Sequence, residues 1–332
     1  MAGASFCLDG WCRRKAGLPA LTPAALEAWQ RAAAWEAVAY AAQNAPFYRA
    51  LYGGVPRPGP WEAFRRLPTV CAQDIVAQGG RMLARGQEEA ARVFTSGTTA
   101  APKRLFFTEA ELLSTVDYFH QGSRQFIRKG QRALLLYPCE SPNGAARLFG
   151  AALGRIGAEA VYAGVPASPA LAAACVQKHR PGLVLCEPRL ALALAPFPLR
   201  FETLLLSGEA LAEGDRARLA AAFGCAVFMQ YGLTESCFGL GVECALHEGY
   251  HLRAADYYVE ILDENGGAPP PGVYGRVAIT SLGRGAMPLI RYDTGDVARL
   301  LPPCPCGSPL PRLSPVLPRS GPKGYYGGGL TL

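Results

Sequence analysis

The segment Thr95-Ser-Gly-Thr-Thr-Ala-Ala-Pro-Lys103 gathers four hydroxyl side chains, one glycine and one lysine into nine residues. Such a loop can wrap phosphate oxygens with backbone N–H groups and hydroxyls while the lysine supplies a point charge. It is not a Walker loop, because the G-x-x-x-x-G-K-[ST] spacing is absent. Read alone, it fits a polar hairpin turn equally well. A second group is Cys244-x6-His251 with Cys304-x-Cys306, two soft or borderline pairs suited to tetrahedral Zn²⁺. His247 is an alternative fourth ligand, and reduced surface thiols are the competing reading. Four protein ligands would leave no open position, so such a metal would be structural.

These residues need elements to hold them. Thr22-Pro23 opens a helical pattern over 22–48, with threonine as cap and proline at the first helical position. Residues 92–95 and 105–108 read as the two strands of a hairpin flanking the hydroxyl-rich loop. Thr108 and Glu111 form a capping box for a helix over 109–129. Strand patterns at 133–137, 160–162, 183–186, 203–207 and 226–230 then alternate with helical patterns at 144–157, 168–179 and 211–223. The strands are near-continuously apolar, the mark of a parallel sheet covered on both faces. After residue 240 the pattern changes to strands and turns, at 257–262, 275–280 and 298–301. The reading is an α/β fold with a barrel-like antiparallel subdomain. Its parts are a helical stretch (1–90), an α/β core (91–240), the β subdomain (241–320) and a glycine-rich tail (321–332).

Composition excludes several classes. Hydrophobic residues make up 50% and charged residues 18%, too apolar for a disordered chain. No apolar stretch approaches the roughly 18 residues needed to span a bilayer. The first ten residues lack a basic segment followed by an apolar one, which argues against a secretory leader. Net charge is +7, but Arg124, Arg128, Lys129 and Arg132 at helical spacing read as a solvated face, so nucleic acid is not expected. The 11 cysteines lack regular spacing and fit reduced thiols in the cytoplasm.

The hydroxyl-rich loop is followed by Tyr231-Gly-Leu-Thr-Glu235, by Pro288-Leu-Ile-Arg-Tyr-Asp-Thr-Gly-Asp296 and by Arg319. In this order they resemble the nucleotide-site motifs of the acyl-adenylate-forming superfamily. Asn44-Ala-Pro-Phe-Tyr-Arg49, Leu67-Pro-Thr, Ser207-Gly-Glu209, Glu243-Cys244, Ala286-Met-Pro-Leu-Ile-Arg-Tyr292 and Cys304-Pro-Cys-Gly307 resemble its phenylacetate–CoA ligase-like branch. The resemblance covers roughly residues 22–320.

It implies that a carboxylate attacks the α-phosphorus of ATP to give an acyl-adenylate. Thr95, Ser96, Gly97, Thr98, Thr99 and Lys103 would hold the β- and γ-phosphates, although Ala100 replaces a glycine usual there. Glu235 would attend Mg²⁺, a cation that takes hard oxygen ligands. Thr234 would contact the α-phosphate. Tyr231 and Gly232, with Ser207, Gly208 and Glu209, would line the base pocket. Asp296 and Arg319 would take the ribose. Arg291 and Tyr292 stay open between a nucleotide role and a structural one. Zinc at the cysteine and histidine positions in some relatives supports that metal here.

The family's C-terminal lid and its Gly-Arg-x-Asp-Asp hinge are expected to be missing, since Pro318-Arg-Ser-Gly-Pro departs from the hinge pattern. The leading expectation is adenylation of a small aryl or acyl carboxylate. Transfer to CoA or another acceptor would then need a partner protein in place of the lid; a homodimer is allowed. One alternative is a non-catalytic nucleotide or acyl-adenylate binding protein. Another is adenylyl transfer to a cofactor hydroxyl, or acyl transfer to a protein thiol. The acid itself is not legible. Tyr137, Phe149 and Phe238 could meet an aromatic ring or could be core.

Overall fold

Proline and glycine set where the helices begin and end. The computed structural model of the chain describes residues 6–54, 58–87, 91–94 and 103–317. After α1 (Asp9–Lys15), Thr22 caps α2 (Pro23–Asn44), its hydroxyl accepting the Ala25 N–H at 3.2 Å. Ala45 is extended (φ −105°) and Pro46 starts a separate α3 (Pro46–Tyr52), closed by Gly53 at φ 65°. The helix expected over 22–48 is therefore two, because proline offers no N–H to continue α2 and holds the residue before it out of the helical region. Two further helices, α4 (Trp61–Arg65) and α5 (Ala72–Met82), precede the hairpin β1 (Ala91–Phe94) and β2 (Arg104–Phe107). Its strands pair antiparallel with Phe94 opposite Arg104, as the sequence predicts to within a residue.

The described residues form two compact units, within Met1–Trp11 with Ala110–His251, and within Cys12–Glu109 with Leu252–Leu332. Helices α2 to α5 and the hairpin fall in the same unit as the C-terminal strands.

The first unit is doubly wound. After α6 (Glu109–Ser123) it runs β3 (Arg132–Leu135), α7 (Ala145–Ile156), β4 (Glu159–Tyr162), α8 (Pro169–His179), β5 (Leu183–Cys186) and α9 (Pro188–Leu194). Then come β6 (Thr203–Leu206), α10 (Asp215–Phe223), β7 (Ala226–Tyr231), β8 (Gly241–Glu243) and β9 (Tyr250–Leu252). The sheet order is β9-β8-β7-β6-β5-β3-β4, parallel from β4 to β7, with β8 antiparallel to β7. Every residue of β5 and β6 is buried, which explains their unbroken apolar sequences. Helix α7 buries Leu148, Phe149 and Leu153 and ends at Gly157 in the left-handed region (φ 80°).

Helix α6 stops six residues before the expected end. The N–H groups of Phe126 and Ile127 turn back to the Ser123 carbonyl at 2.8 and 3.1 Å. That turn buries both side chains and brings Phe126 to Phe228, ring centroids 4.7 Å apart. Burying a phenylalanine is worth roughly 1.5–3 kcal/mol, more than continuing a helix by a turn. Arg124, Arg128, Lys129 and Arg132 consequently share no helix face.

In the second unit, β10 (Tyr257–Leu262), β11 (Gly275–Ser281) and β12 (Tyr292–Ala298) form an antiparallel sheet in that order. β13 (Leu300–Leu301) and β14 (Arg312–Leu313) make a short hairpin. The subdomain is antiparallel as expected, three of its strands forming one sheet. Gln30 on α2 donates to the carbonyls of Ala254 and Tyr257 at 2.8 and 3.2 Å, fixing the helix to the start of β10.

Candidate functional site

In the first unit, β4 lies to one side of β3, and β5, β6 and β7 lie to the other. The strand order therefore reverses between β3 and β5, and open α/β sheets bind ligands at the carboxyl ends of strands where this happens. Tyr137 follows β3, Glu187 follows β5, Ser207, Gly208 and Glu209 follow β6, and Tyr231 ends β7. The expected base-pocket residues thus share one edge.

Tyr137 donates its hydroxyl to the Ser207 carbonyl. Gly208 adopts φ 97°, and a Cβ there would lie 2.6 Å from Tyr137 Oη. No other residue fits this turn without strain. Arg189 pairs with Glu209 at 2.6 Å. Burial and the Glu209 charge hold the Glu187 carboxyl above its usual range, against the pull of Arg189. Burial and the Glu187 carboxylate likewise push the Tyr137 phenol upward, so it stays a donor.

The chain leaves β7 through a tight turn. A Cβ on Gly232 would meet the Phe238 carbonyl oxygen at 2.1 Å, so the backbone passes itself more closely than any side chain permits. Cys237 (φ 50°) and Phe238 (φ 68°) are both left-handed. Such backbone costs about 1–3 kcal/mol per residue and collects at functional sites. It is held by Phe238 N–H to the Leu233 carbonyl (2.9 Å) and by the Ser236 hydroxyl, which accepts from Leu233 N–H (3.2 Å). The turn carries Thr234, half-buried, and Glu235, buried. Tyr231 lies against Tyr250, centroids 5.8 Å apart.

In the second unit, Lys103 is half-buried and leads directly into β2. Thr95, Ser96, Gly97, Thr98, Thr99 and Arg319 lie outside the described residues. The stretch Tyr-Asp-Thr-Gly-Asp296 is strand β12 and not the turn its glycine suggests. Arg276 opposes Val297 while Ala278 opposes Asp293, so Thr294, Gly295 and Asp296 bulge out across from Val277. Gly295 takes φ 73°, and the Thr294 hydroxyl donates to the Val277 carbonyl (2.9 Å) and accepts the Asp296 N–H (3.1 Å). A bulge re-aims a side chain; here it sets Asp296, which is buried.

Arg291 resolves to a structural role. It is 2% exposed and its guanidinium pairs with Glu260 (2.9 and 3.3 Å) and donates to the Leu67 and Gly266 carbonyls (2.5 and 2.9 Å). All its reach is spent inside the unit.

The cysteine and histidine residues form two donor pairs, one per unit. In the first, Cys244 Sγ and a ring nitrogen of His251 lie within 4.8 Å of each other, both residues buried, with Phe6 over the imidazole at 4.3 Å. His247, the alternative ligand, turns its Nδ1 to the buried Glu243 carboxylate at 3.3 Å. In the second, Cys304 and Cys306 Sγ lie within 4.8 Å of each other. Arg312 fixes this turn by donating to the Pro302 and Pro303 carbonyls (2.7 and 3.3 Å), and Gly307 closes it at φ 85°. Leu252, next after His251, bonds its N–H to Pro311 O at 2.9 Å. Each pair offers ligands of the kinds Zn²⁺ takes, thiolate and imidazole in the first and two thiolates in the second.

Sequence reasoning missed Glu187, Arg312 and the hydrogen bond from Tyr137. A signal was present for Tyr137 and Glu187, each of which ends or follows an apolar strand pattern and is followed by proline.

A family model described as AMP-binding enzyme matches residues 73–287. The chain belongs to the AMP-binding enzyme family. It is 31% identical over 308 residues to a phenylacetate–coenzyme A ligase of Thermus thermophilus, covering 85% of this chain and 68% of that one. To the Pseudomonas putida phenylacetate–coenzyme A ligase it is 28% identical, covering 72% of this chain and 57% of that one. Among solved structures, 2-hydroxyisobutyryl-CoA ligase in an open conformation with 2-HIB-AMP and CoA superposes with a TM-score of 0.76 at 23% identity, over 86% of this chain and 68% of that one. That likeness shows the fold. As an AMP-binding enzyme similar to phenylacetate–CoA ligases, the chain is an adenylate-forming ligase.

Proposed function

We propose that this ligase joins an aryl or acyl carboxylate to ATP as the acyl-adenylate, releases pyrophosphate, and passes the acyl group to CoA. The observation that carries the reading is the alignment of Ser207–Glu209 and Tyr231–Glu235 on the ligand-binding edge of a parallel sheet, inside the stretch that matches the family. Charge builds on pyrophosphate as the carboxylate attacks in line, so positioning and electrostatics dominate the chemistry. Lys103, with the hydroxyls of 95–99, is assigned to that charge. Thr234 is assigned to the α-phosphate, Glu235 to Mg²⁺, Ser207, Gly208, Glu209, Tyr231 and Gly232 to the base, and Asp296 and Arg319 to the ribose. The bulge at Gly295 supports the assignment of Asp296 because it presents a buried carboxylate on a rigid strand.

The two donor pairs Cys244/His251 and Cys304/Cys306 together hold one structural Zn²⁺ in this reading. The metal would be structural and take no part in the reaction. In this reading the enzyme works in the cytoplasm.

The test is hydroxylamine trapping across a panel of carboxylic acids. Acid- and ATP-dependent hydroxamate, abolished by Lys103→Ala and by Asp296→Ala, supports the reading. Tight nucleotide binding by calorimetry with no hydroxamate from any acid favours a binding protein instead.

A further inference from the structure

The hairpin β1–β2 leads into Lys103 and is short: each strand has four residues. A two-stranded hairpin of this size is not stable alone, and Phe94 on β1 is 60% exposed. Something must hold β2. One support is α5, where a Cβ on Gly79 would lie 3.6 Å from the Arg104 carbonyl oxygen. The other is Arg284, 5% exposed, in the connection between β11 and β12. Its guanidinium donates to the Phe106 carbonyl at 3.1 Å and stands over the Phe107 ring with its central carbon 4.3 Å from the centroid.

Arg284 is itself fixed. The Gly285 carbonyl accepts from the Tyr40 hydroxyl at 2.8 Å, and the Ala286 carbonyl accepts from Ala84 N–H at 2.8 Å. Downstream, Ile290 N–H reaches the Tyr48 hydroxyl at 3.1 Å. The same connection runs on into β12 and Asp296. A planar guanidinium can bond a carbonyl and cover a ring at once, which an ammonium does less well.

We infer that Arg284 is a positioning residue for adenylation, tying β2, and with it Lys103, to the segment that carries Asp296. Arg284 is assigned no contact with nucleotide or acid in this reading. It fixes the spacing between the cation assigned to the phosphates and the carboxylate assigned to the ribose. The inference rests on the proposed function, and a displacement of about 1 Å at such a site costs about 10²-fold in rate.

The experiment uses the full chain with Arg284→Met and Arg284→Lys. Hydrogen exchange of the amides of 104–107 is read alongside hydroxamate formation at varied ATP and varied acid. Arg284→Met is expected to lower kcat/KM for ATP by about 10²-fold, leave KM for the acid within twofold, and speed exchange of 104–107 selectively. Arg284→Lys is expected to restore part of both. A folded Arg284→Met with unchanged ATP kinetics and unchanged exchange overturns the inference, as does an equal loss for ATP and acid. If Arg284→Met does not fold, Phe107→Leu, which removes the ring under the guanidinium and keeps an apolar side chain in the core, decides on the same two readouts. If the wild type traps no hydroxamate at all, the proposed function fails, and the exchange arm still judges the anchoring of β2 by itself.

Discussion

Tyr137, at the end of β3, donates its hydroxyl to the carbonyl of Ser207, at the end of β6, passing over the end of β5. The bond spans the reversal in strand order and fixes the turn in which Gly208 must be left-handed. Gly208→Ala meets two penalties, the positive φ and the Tyr137 hydroxyl. It is expected to destabilise the fold by about 1–3 kcal/mol and to raise KM for ATP. Adding Tyr137→Phe removes the clash but not the φ strain, so the double variant should recover part of the stability. A double-mutant cycle on urea midpoints reads this coupling; strict additivity would show that the two residues do not meet.

Arg291 and Glu260 form a buried pair. Arg291→Met leaves the carboxylate stranded and is expected to cost about 3–5 kcal/mol, while Arg291→Met with Glu260→Leu costs far less. Urea denaturation measures both. KM for ATP in the double variant should stay near wild type, since neither side chain is assigned to the nucleotide.

Acid should weaken the second unit at Asp256. Burial raises this carboxyl, but Arg253 (2.5 Å) and Lys15 outweigh it and hold it below the usual range. A lowered folded value means that the pair stabilises the fold above the unfolded pKa of about 3.9 and that this stability is lost as pH falls through the folded value. The urea midpoint of wild type should therefore drop steeply below about pH 4. Asp256→Asn should start lower at neutral pH and show a flatter acid limb. Parallel curves for the two proteins would exclude Asp256 as a source of the dependence.

The proposed zinc site predicts about one equivalent of metal per chain. Protein purified without a metal-affinity tag should contain it, and Cys304→Ser should lose it. Arg312→Met, which frees the Cys304 turn without removing a ligand, should weaken zinc binding about 10-fold or more in a chelator competition. Less than about a third of an equivalent, unchanged by Cys304→Ser, would remove the site from the account.

Where the sequence was legible, one local pattern decided the structure. The β-branched and aromatic run Tyr257–Leu262 gave β10 with its observed ends, and the helical pattern at 168–179 is α8, with Ser168 as its cap and Pro169 as its first residue. Helix α5 was not legible because Ala72–Met82 carries two glycines and starts at Cys71, an unusual cap. The strand through Asp296 was hidden by Gly295, since a bulge depends on the partner register at Arg276 and Ala278 and not on β12 itself. The site motifs stood out because each compresses its chemistry into a few consecutive residues. Arg284 did not, because the Phe106 carbonyl it holds lies 178 residues away in the chain.

Acid-dependent exchange of labelled pyrophosphate into ATP isolates adenylate formation from every later step. The account predicts Mg²⁺-dependent exchange with at least one aryl or short acyl carboxylic acid, falling at least about 10²-fold in Asp296→Ala and in Glu235→Gln. No exchange with any acid, from a folded protein that binds ATP, would contradict it.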